Sequence, residues 1–97
     1  MKSIIRHEDK FELELAEDVG WESFNAWAKA FVKLRKGKVT RKISGPDAHL
    51  WEISISNISF SLCFVDFPDT VWIETKEVAG EEILKEIESE LGEANHT

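Results

Sequence analysis

From Trp51 to Phe64 apolar residues alternate with polar ones, and the alternation changes parity once, across Ser56-Asn57. Trp51, Ile53 and Ile55 hold odd positions, whereas Ile58, Phe60, Leu62 and Phe64 hold even ones. Strand side chains alternate between two faces, so a parity switch within one strand would turn its apolar side over. A hairpin with Ser56-Asn57 as its two-residue turn removes the conflict. Ile55 then pairs with Ile58, Ile53 with Phe60 and Trp51 with Leu62, all on one face. Ser-Asn is a weaker turn pair than Asn-Gly, so the parity carries the inference.

The same reading extends in both directions. Pro68-Asp69 closes a second hairpin, with Phe64 expected opposite Ile73 and Val65 opposite Trp72. Lys38 to Ser44 is a candidate strand, and Gly45-Pro46-Asp47 after it is a turn signal. A four-stranded meander from Lys38 to Lys76 follows. Upstream, Phe11, Leu13 and Leu15 alternate with Glu12 and Glu14, the pattern of a half-buried strand over Lys10 to Ala16.

Two helices complete the chain. Trp21 to Lys36 carries Phe24, Trp27, Ala28, Phe31 and either Val32 or Leu34 on one apolar face, with Asp18 as the expected cap and Gly37 as the stop. Gly80 to Leu91 carries Ile83, Leu84, Ile87 and Leu91 among glutamates, with Gly92 as its stop and 93–97 as a frayed tail. The order is β-α-β-β-β-β-α. The expected fold is α+β: a mostly antiparallel, five-stranded sheet with both helices on one face.

A chain of 97 residues is read as one domain. No stretch approaches the roughly 20 apolar residues that span a bilayer. Met1 to Leu15 lacks the apolar run of a signal peptide, and the lone Cys63 leaves no internal disulfide to form. These features point to the cytoplasm.

The polar residues assemble no recognisable chemistry. His7, His49 and His96 are isolated, and no ligand spacing joins them to Cys63. Ser54, Ser56, Ser59 and Ser61 recur at period two, which makes them the second face of a sheet rather than nucleophiles. Cys63 continues that row as a small filler with no basic residue beside it. The five glycines fall at element edges, and none builds a phosphate loop. We therefore assign no catalytic residue, no cofactor and no metal ligand.

Surfaces are more informative. The net charge is -7, yet Lys29, Lys33, Arg35, Lys36, Lys38, Arg41 and Lys42 follow one another with no acid between Glu22 and Asp47. That cluster is a candidate phosphate-contacting surface. The acidic total, and the better use of Trp27 and Phe31 as core, weigh against nucleic acid. From Asp66 onward ten acidic residues face only Lys76 and Lys85, and Glu82, Glu86 and Glu90 line the second helix as an acidic surface. The reverse face of the sheet should carry Trp72 and Val65 with Cys63 and Glu74, an apolar patch of the kind that binds a protein partner or a second copy. Ile4-Ile5 or a loop lying over Trp72 would instead make it a satellite core.

Trp51-Glu52-Ile53, Phe60-Ser61-Leu62 and Val71-Trp72-Ile73-Glu74, followed by an acidic closing helix, resemble small uncharacterised families of short bacterial proteins. The resemblance spans Leu50 to Leu91, under half of the chain, and brings no catalytic residue. In size and acidity the chain is also similar to immunity proteins that neutralise a toxin. The leading expectation is a non-enzymatic protein-interaction domain, with a ligand-binding or enzymatic pocket near His49 as the alternative. A deep pocket enclosing His49, Asp47 or Asp66 would favour the alternative. A closed core with an exposed patch around Trp72 would favour interaction.

Overall fold

Ser56 and Asn57 both adopt left-handed backbone, with φ of 54° and 65°. That double left-handed turn matches the twist of the strands it joins. The computed structural model describes residues 4–66 and 69–94. Around the turn lie β4 (Ala48–Ile55) and β5 (Ile58–Asp66), with Ile55 opposite Ile58, Ile53 opposite Phe60 and Trp51 opposite Leu62, as the parity requires. Trp51, Ile53, Ile55, Phe60 and Leu62 are buried on the shared face.

The other strands are β1 (Ile5–Arg6), β2 (Phe11–Ala16), β3 (Lys38–Ser44) and β6 (Asp69–Thr75); the helices are α1 (Phe24–Leu34) and α2 (Gly80–Ala94). The sheet runs β1-β2-β6-β5-β4-β3, and every pairing is antiparallel. Among the described residues it has six strands rather than five, because Ile5 and Arg6 fold back on Glu12 and Phe11. The α+β architecture with both helices on one face is otherwise the expected one. β2 docks antiparallel on β6, so the first long strand lies beside the last.

The second hairpin corrects the expected register. Phe64 pairs with Val71 and Leu62 with Ile73, while Val65 pairs with Thr70 and Trp72 with Cys63. Asp66 opposite Asp69 sets this register, two residues away from the one expected. The slip is even, so every side chain keeps its face. Pro68 itself lies outside the described residues.

α1 also starts later than expected. A turn at 21–23 precedes it, and Ser23 occupies the cap position without capping the helix. Its Oγ accepts the Gly20 N–H at 2.9 Å instead, and Asp18 stands exposed ahead of the turn. Phe24, Ala28, Phe31 and Val32 form the buried face; Leu34 is 73% exposed. At the C-terminus Lys36, at φ 58°, takes the left-handed position one residue before Gly37. Lys36 N–H donates to Lys33 O and Gly37 N–H to Val32 O, at 3.0 and 2.9 Å, closing the helix in a Schellman motif.

Leu84 and Ile87 of α2 join α1 and the sheet in one core with Leu13, Leu15, Phe64, Val71 and Ile73. A bulge between Glu14 and Ala16 lets the adjacent Leu15 and Ala16 both be buried. Gly92 does not stop α2, which runs to Ala94; residues 95–97 of the expected frayed tail lie outside the described ones.

Candidate interaction surface

Register partners share a face, so the pairings read across the sheet as rows. On the side away from the core one row runs Glu14, Trp72, Cys63, Leu50, Ile43, through β2, β6, β5, β4 and β3. Its last four members are apolar. Trp72 and Leu50 are half-buried, Ile43 is 38% exposed, and Cys63 is enclosed between its neighbours. Thr70, Val65 and Ala48 flank the row on one side. Both described helices lie on the opposite face, so this side of the sheet carries no covering layer among the described residues.

Trp72 does not acquire a lid from the N-terminal strand. β1 sits at the sheet edge beyond β2, and Ile4 packs on the core while its N–H donates to Glu88 Oε2 of α2 at 3.1 Å. The indole is held from its own strand: Trp72 Nε1–H donates to Glu74 Oε1 at 2.8 Å. Lys10 Nζ lies 3.4 Å from Glu74 Oε2 and 3.7 Å from Glu12, and His7 Nε2 lies 3.2 Å from the same Glu12. The Glu74 carboxylate is the main cause of a raised Lys10 pKa. A polar rim thus closes one side of the apolar row, continuing through Ser61 to Glu52 and Arg41, which stand 3.9 Å apart.

Cys63 is a packing residue in this setting. Burial, with a smaller contribution from Glu74, pushes its thiol up to about 12. Little thiolate forms at neutral pH, and a thiol that stays protonated is a poor nucleophile.

His49 faces the other way. Its ring stacks on Phe24 (5.3 Å between centroids, 6° between planes), lies 3.9 Å from Trp21 and 5.7 Å from Phe64, and its Nδ1 is 2.9 Å from Ser44 Oγ. These contacts make it a member of an aromatic cluster at the end of the core. Asp66 and Asp69 face each other across the second hairpin, and the hydrogen bond that a protonated Asp69 carboxyl donates to Asp66 holds the Asp69 pKa up. Among the described residues no three His, Cys, Asp or Glu side chains converge as metal ligands would, and no helix is long and apolar enough to cross a membrane.

The charged surfaces divide by element. Lys29, Lys33 and Lys36 are exposed on or just beyond α1, and Arg41 and Lys42 on β3. Lys42 turns toward the helix side, with Nζ 4.2 Å from the Trp51 ring centroid. On α2, Glu82 meets Lys85 at 3.5 Å, and Glu90 pairs with Arg35. Glu86, Glu90, Arg35 and Leu34 line a shallow groove of about 200 Å³ between the two helices.

Two contributors to the open face, Leu50 and Ile43, escape the sequence reading. The signal was available: Leu50 shares the even parity of Glu52 and Ser54, on the face away from Trp51. Its strand begins at Ala48, earlier than the alternation from Trp51 suggests.

No curated protein and no solved structure matches this chain. Residues 1–91 match the model of a family described as a protein of unknown function, DUF3630, and the chain belongs to that family of small uncharacterised proteins.

Proposed function

We propose that this is a non-enzymatic protein-interaction domain, acting in the cytoplasm, whose binding surface is the open sheet face. The observation that carries the reading is the apolar row Trp72, Cys63, Leu50, Ile43 on a face with no helical cover. A sheet face bordered by water on one side normally alternates to polar residues. Here the polar residues retreat to the rim, and a Trp stands in the central strands, the residue type most often energetic at interfaces. Trp72 reaches that position already oriented by its bond to Glu74, which limits the side-chain ordering that binding must impose. A second copy of the chain is the partner proposed first, since two such faces stack at the ordinary sheet–sheet spacing of about 10 Å.

Light scattering on wild type and Trp72→Ser, at matched concentration and with folding checked by circular dichroism, tests this. Twice the 11.1 kDa chain mass for wild type, and a folded monomer for the variant, is the expected result. If both are monomers, the second copy is ruled out as partner. If in addition Trp72→Ser leaves every protein co-purifying from the native cell in place, the open face is not an interaction surface.

A further inference from the structure

The basic segment that stands apart in an otherwise acidic chain gives the open face only Ile43 and, at the rim, Arg41. The fold gathers it along one margin. Among the described residues β3 is the last strand of the sheet, paired only with β4, and all seven of its residues, Lys38 to Ser44, are exposed. α1 packs against β3, its last turn carries Lys33, and Lys36 and Gly37 join the two directly. The margin therefore bears Lys33, Lys36, Lys38, Arg41 and Lys42, with no acid anywhere in the segment from 23 to 46.

The two sheet edges are finished differently. At the β1 edge the strand is only two residues long, and Arg6 is anchored by donating from Nε to Glu81 Oε2 at 2.7 Å. Shortness of this kind protects an edge from pairing. The β3 edge is long. Its one irregularity falls between Val39 and Arg41, where Thr40 Oγ1 donates to Glu52 O at 3.0 Å; Arg41 to Ser44 then run in unbroken register with Glu52 to His49. Among the described residues no strand lies beyond the outward-pointing N–H and C=O groups of that stretch.

What the edge accepts follows from its charge. Two β3 edges pairing with each other would set Lys38, Arg41 and Lys42 against the same residues of another copy, and like charges across a strand pair are destabilising. An acidic strand meets the reverse situation. Side chains of β3 also point to both faces: Lys42 lies toward Trp51 on the helix side, while Arg41 lies beside Glu52 on the open side. An added strand with carboxylates on either face thus finds a cation.

We infer that β3 is a docking edge for an extended acidic segment of a partner protein, which adds to the sheet beside Arg41–Ser44. Backbone pairing holds the segment and the lysines and arginine select its charge, the mode of β-strand addition. This site borders the open face, with which it shares Ile43 and Arg41, but lies three strands from Trp72, so Trp72→Ser leaves it intact.

The test uses short fluorescent peptides alternating Glu and Val, read by anisotropy with hydrogen exchange of the complex. The plain peptide should bind and slow exchange of amides within 38–44. Two further peptides of equal charge, N-methylated at odd or at even amides, should separate: one keeps its affinity and the other falls at least about tenfold, since only alternate amides face the edge. Lys38→Glu/Lys42→Glu, folded by circular dichroism, should weaken the plain peptide by about tenfold or more, and Trp72→Ser should not. Equal binding of both methylated peptides would reduce the site to nonspecific charge and overturn the inference. So would absence of binding at millimolar peptide, or tighter binding of a single-stranded oligonucleotide of matched charge without protection of β3.

Discussion

Cys63 and Trp72 are register partners on the two central strands of the sheet, on the face opposite both helices. Their pairing decides how the open face is built. Cys63 is buried between its strand neighbours, with no helix above it among the described residues. Glu74, two residues along, fixes the indole N–H and, after burial, does most to hold the thiol protonated. Leu50 then extends the apolar surface on the far side of Cys63. A packing residue and a binding residue are thereby made interdependent.

That enclosure predicts an inert thiol. With its pKa pushed from 9.0 to about 12, Cys63 at pH 8 should react with iodoacetamide about a thousandfold more slowly in the folded protein than in urea. The stability consequence has a definite sign. Below pH 9 both folded and unfolded chains keep the proton and Cys63 contributes no slope. Between pH 9 and 12 the unfolded chain loses it while the folded chain retains it, so stability falls by up to about 1.4 kcal/mol per pH unit from this group. Urea denaturation across that window should therefore show wild type converging on Cys63→Ala as pH rises. A constant gap between them would mean that Cys63 ionises normally in the fold.

The Ser56-Asn57 turn predicts a gain. Both residues already occupy left-handed backbone, where glycine carries no side-chain penalty and is favoured in this hairpin turn. Asn57→Gly should raise stability by about 0.5 kcal/mol in urea denaturation. A loss of more than that would show that the Asn57 side chain contributes something the backbone conformation does not explain.

What was legible in the chain follows the same hairpin. Parity fixed the pairing of β4 with β5 because a one-residue error would have exposed every apolar side chain on one arm. The next hairpin had no such safeguard. A two-residue error there preserves all faces, so alternation could not separate Trp72 opposite Val65 from Trp72 opposite Cys63. Helix α1 was visible from Phe24, Ala28 and Phe31, but its start depended on a Ser23–Gly20 interaction that replaces a cap. β1 is too short to leave a pattern. The open face was legible in Trp72, Val65, Cys63 and Glu74. Leu50 carried the right parity on a strand that starts earlier than its alternation suggests, and Ile43 lies beyond a bulge between Val39 and Arg41 that breaks the parity of β3.

The junction between α1 and β3 predicts opposite effects at adjacent positions. A Cβ on Gly37 would stand 2.8 Å from the Ser54 carbonyl oxygen and 3.1 Å from Ile55 Cγ1. The carbonyl belongs to β4 and cannot rotate away, so Gly37→Ala should cost about 1–3 kcal/mol. Lys36 holds the left-handed position, and Lys36→Gly should stabilise by up to about 1 kcal/mol. If instead Gly37→Ala is neutral in thermal and urea unfolding, β3 and β4 shift readily and the close approach is not a constraint.

Arg35 presents a choice between charge and packing. Its side chain is only 12% exposed, its guanidinium lies 5.3 Å from the Phe31 centroid, and it pairs with Glu90, itself 55% exposed. Nε is buried with no hydrogen-bond partner among the described residues. Burial pulls the Arg35 pKa down, with Glu86 acting against it. A half-solvated carboxylate returns little of the desolvation cost of a buried cation, whereas the aliphatic stem packs fully. Arg35→Met keeps the stem and removes the unpaired donor, so stability should stay within about 1 kcal/mol of wild type or rise. Arg35→Ala discards the packing and should cost about 1–2 kcal/mol, and Glu90→Gln should cost under about 1 kcal/mol. Measured in parallel by urea denaturation, equal losses for Arg35→Met and Arg35→Ala would assign the contribution to the ion pair and refute the packing account. The expected order, Met above Ala with Glu90→Gln near wild type, would make Arg35 a hydrophobic brace for the end of α1.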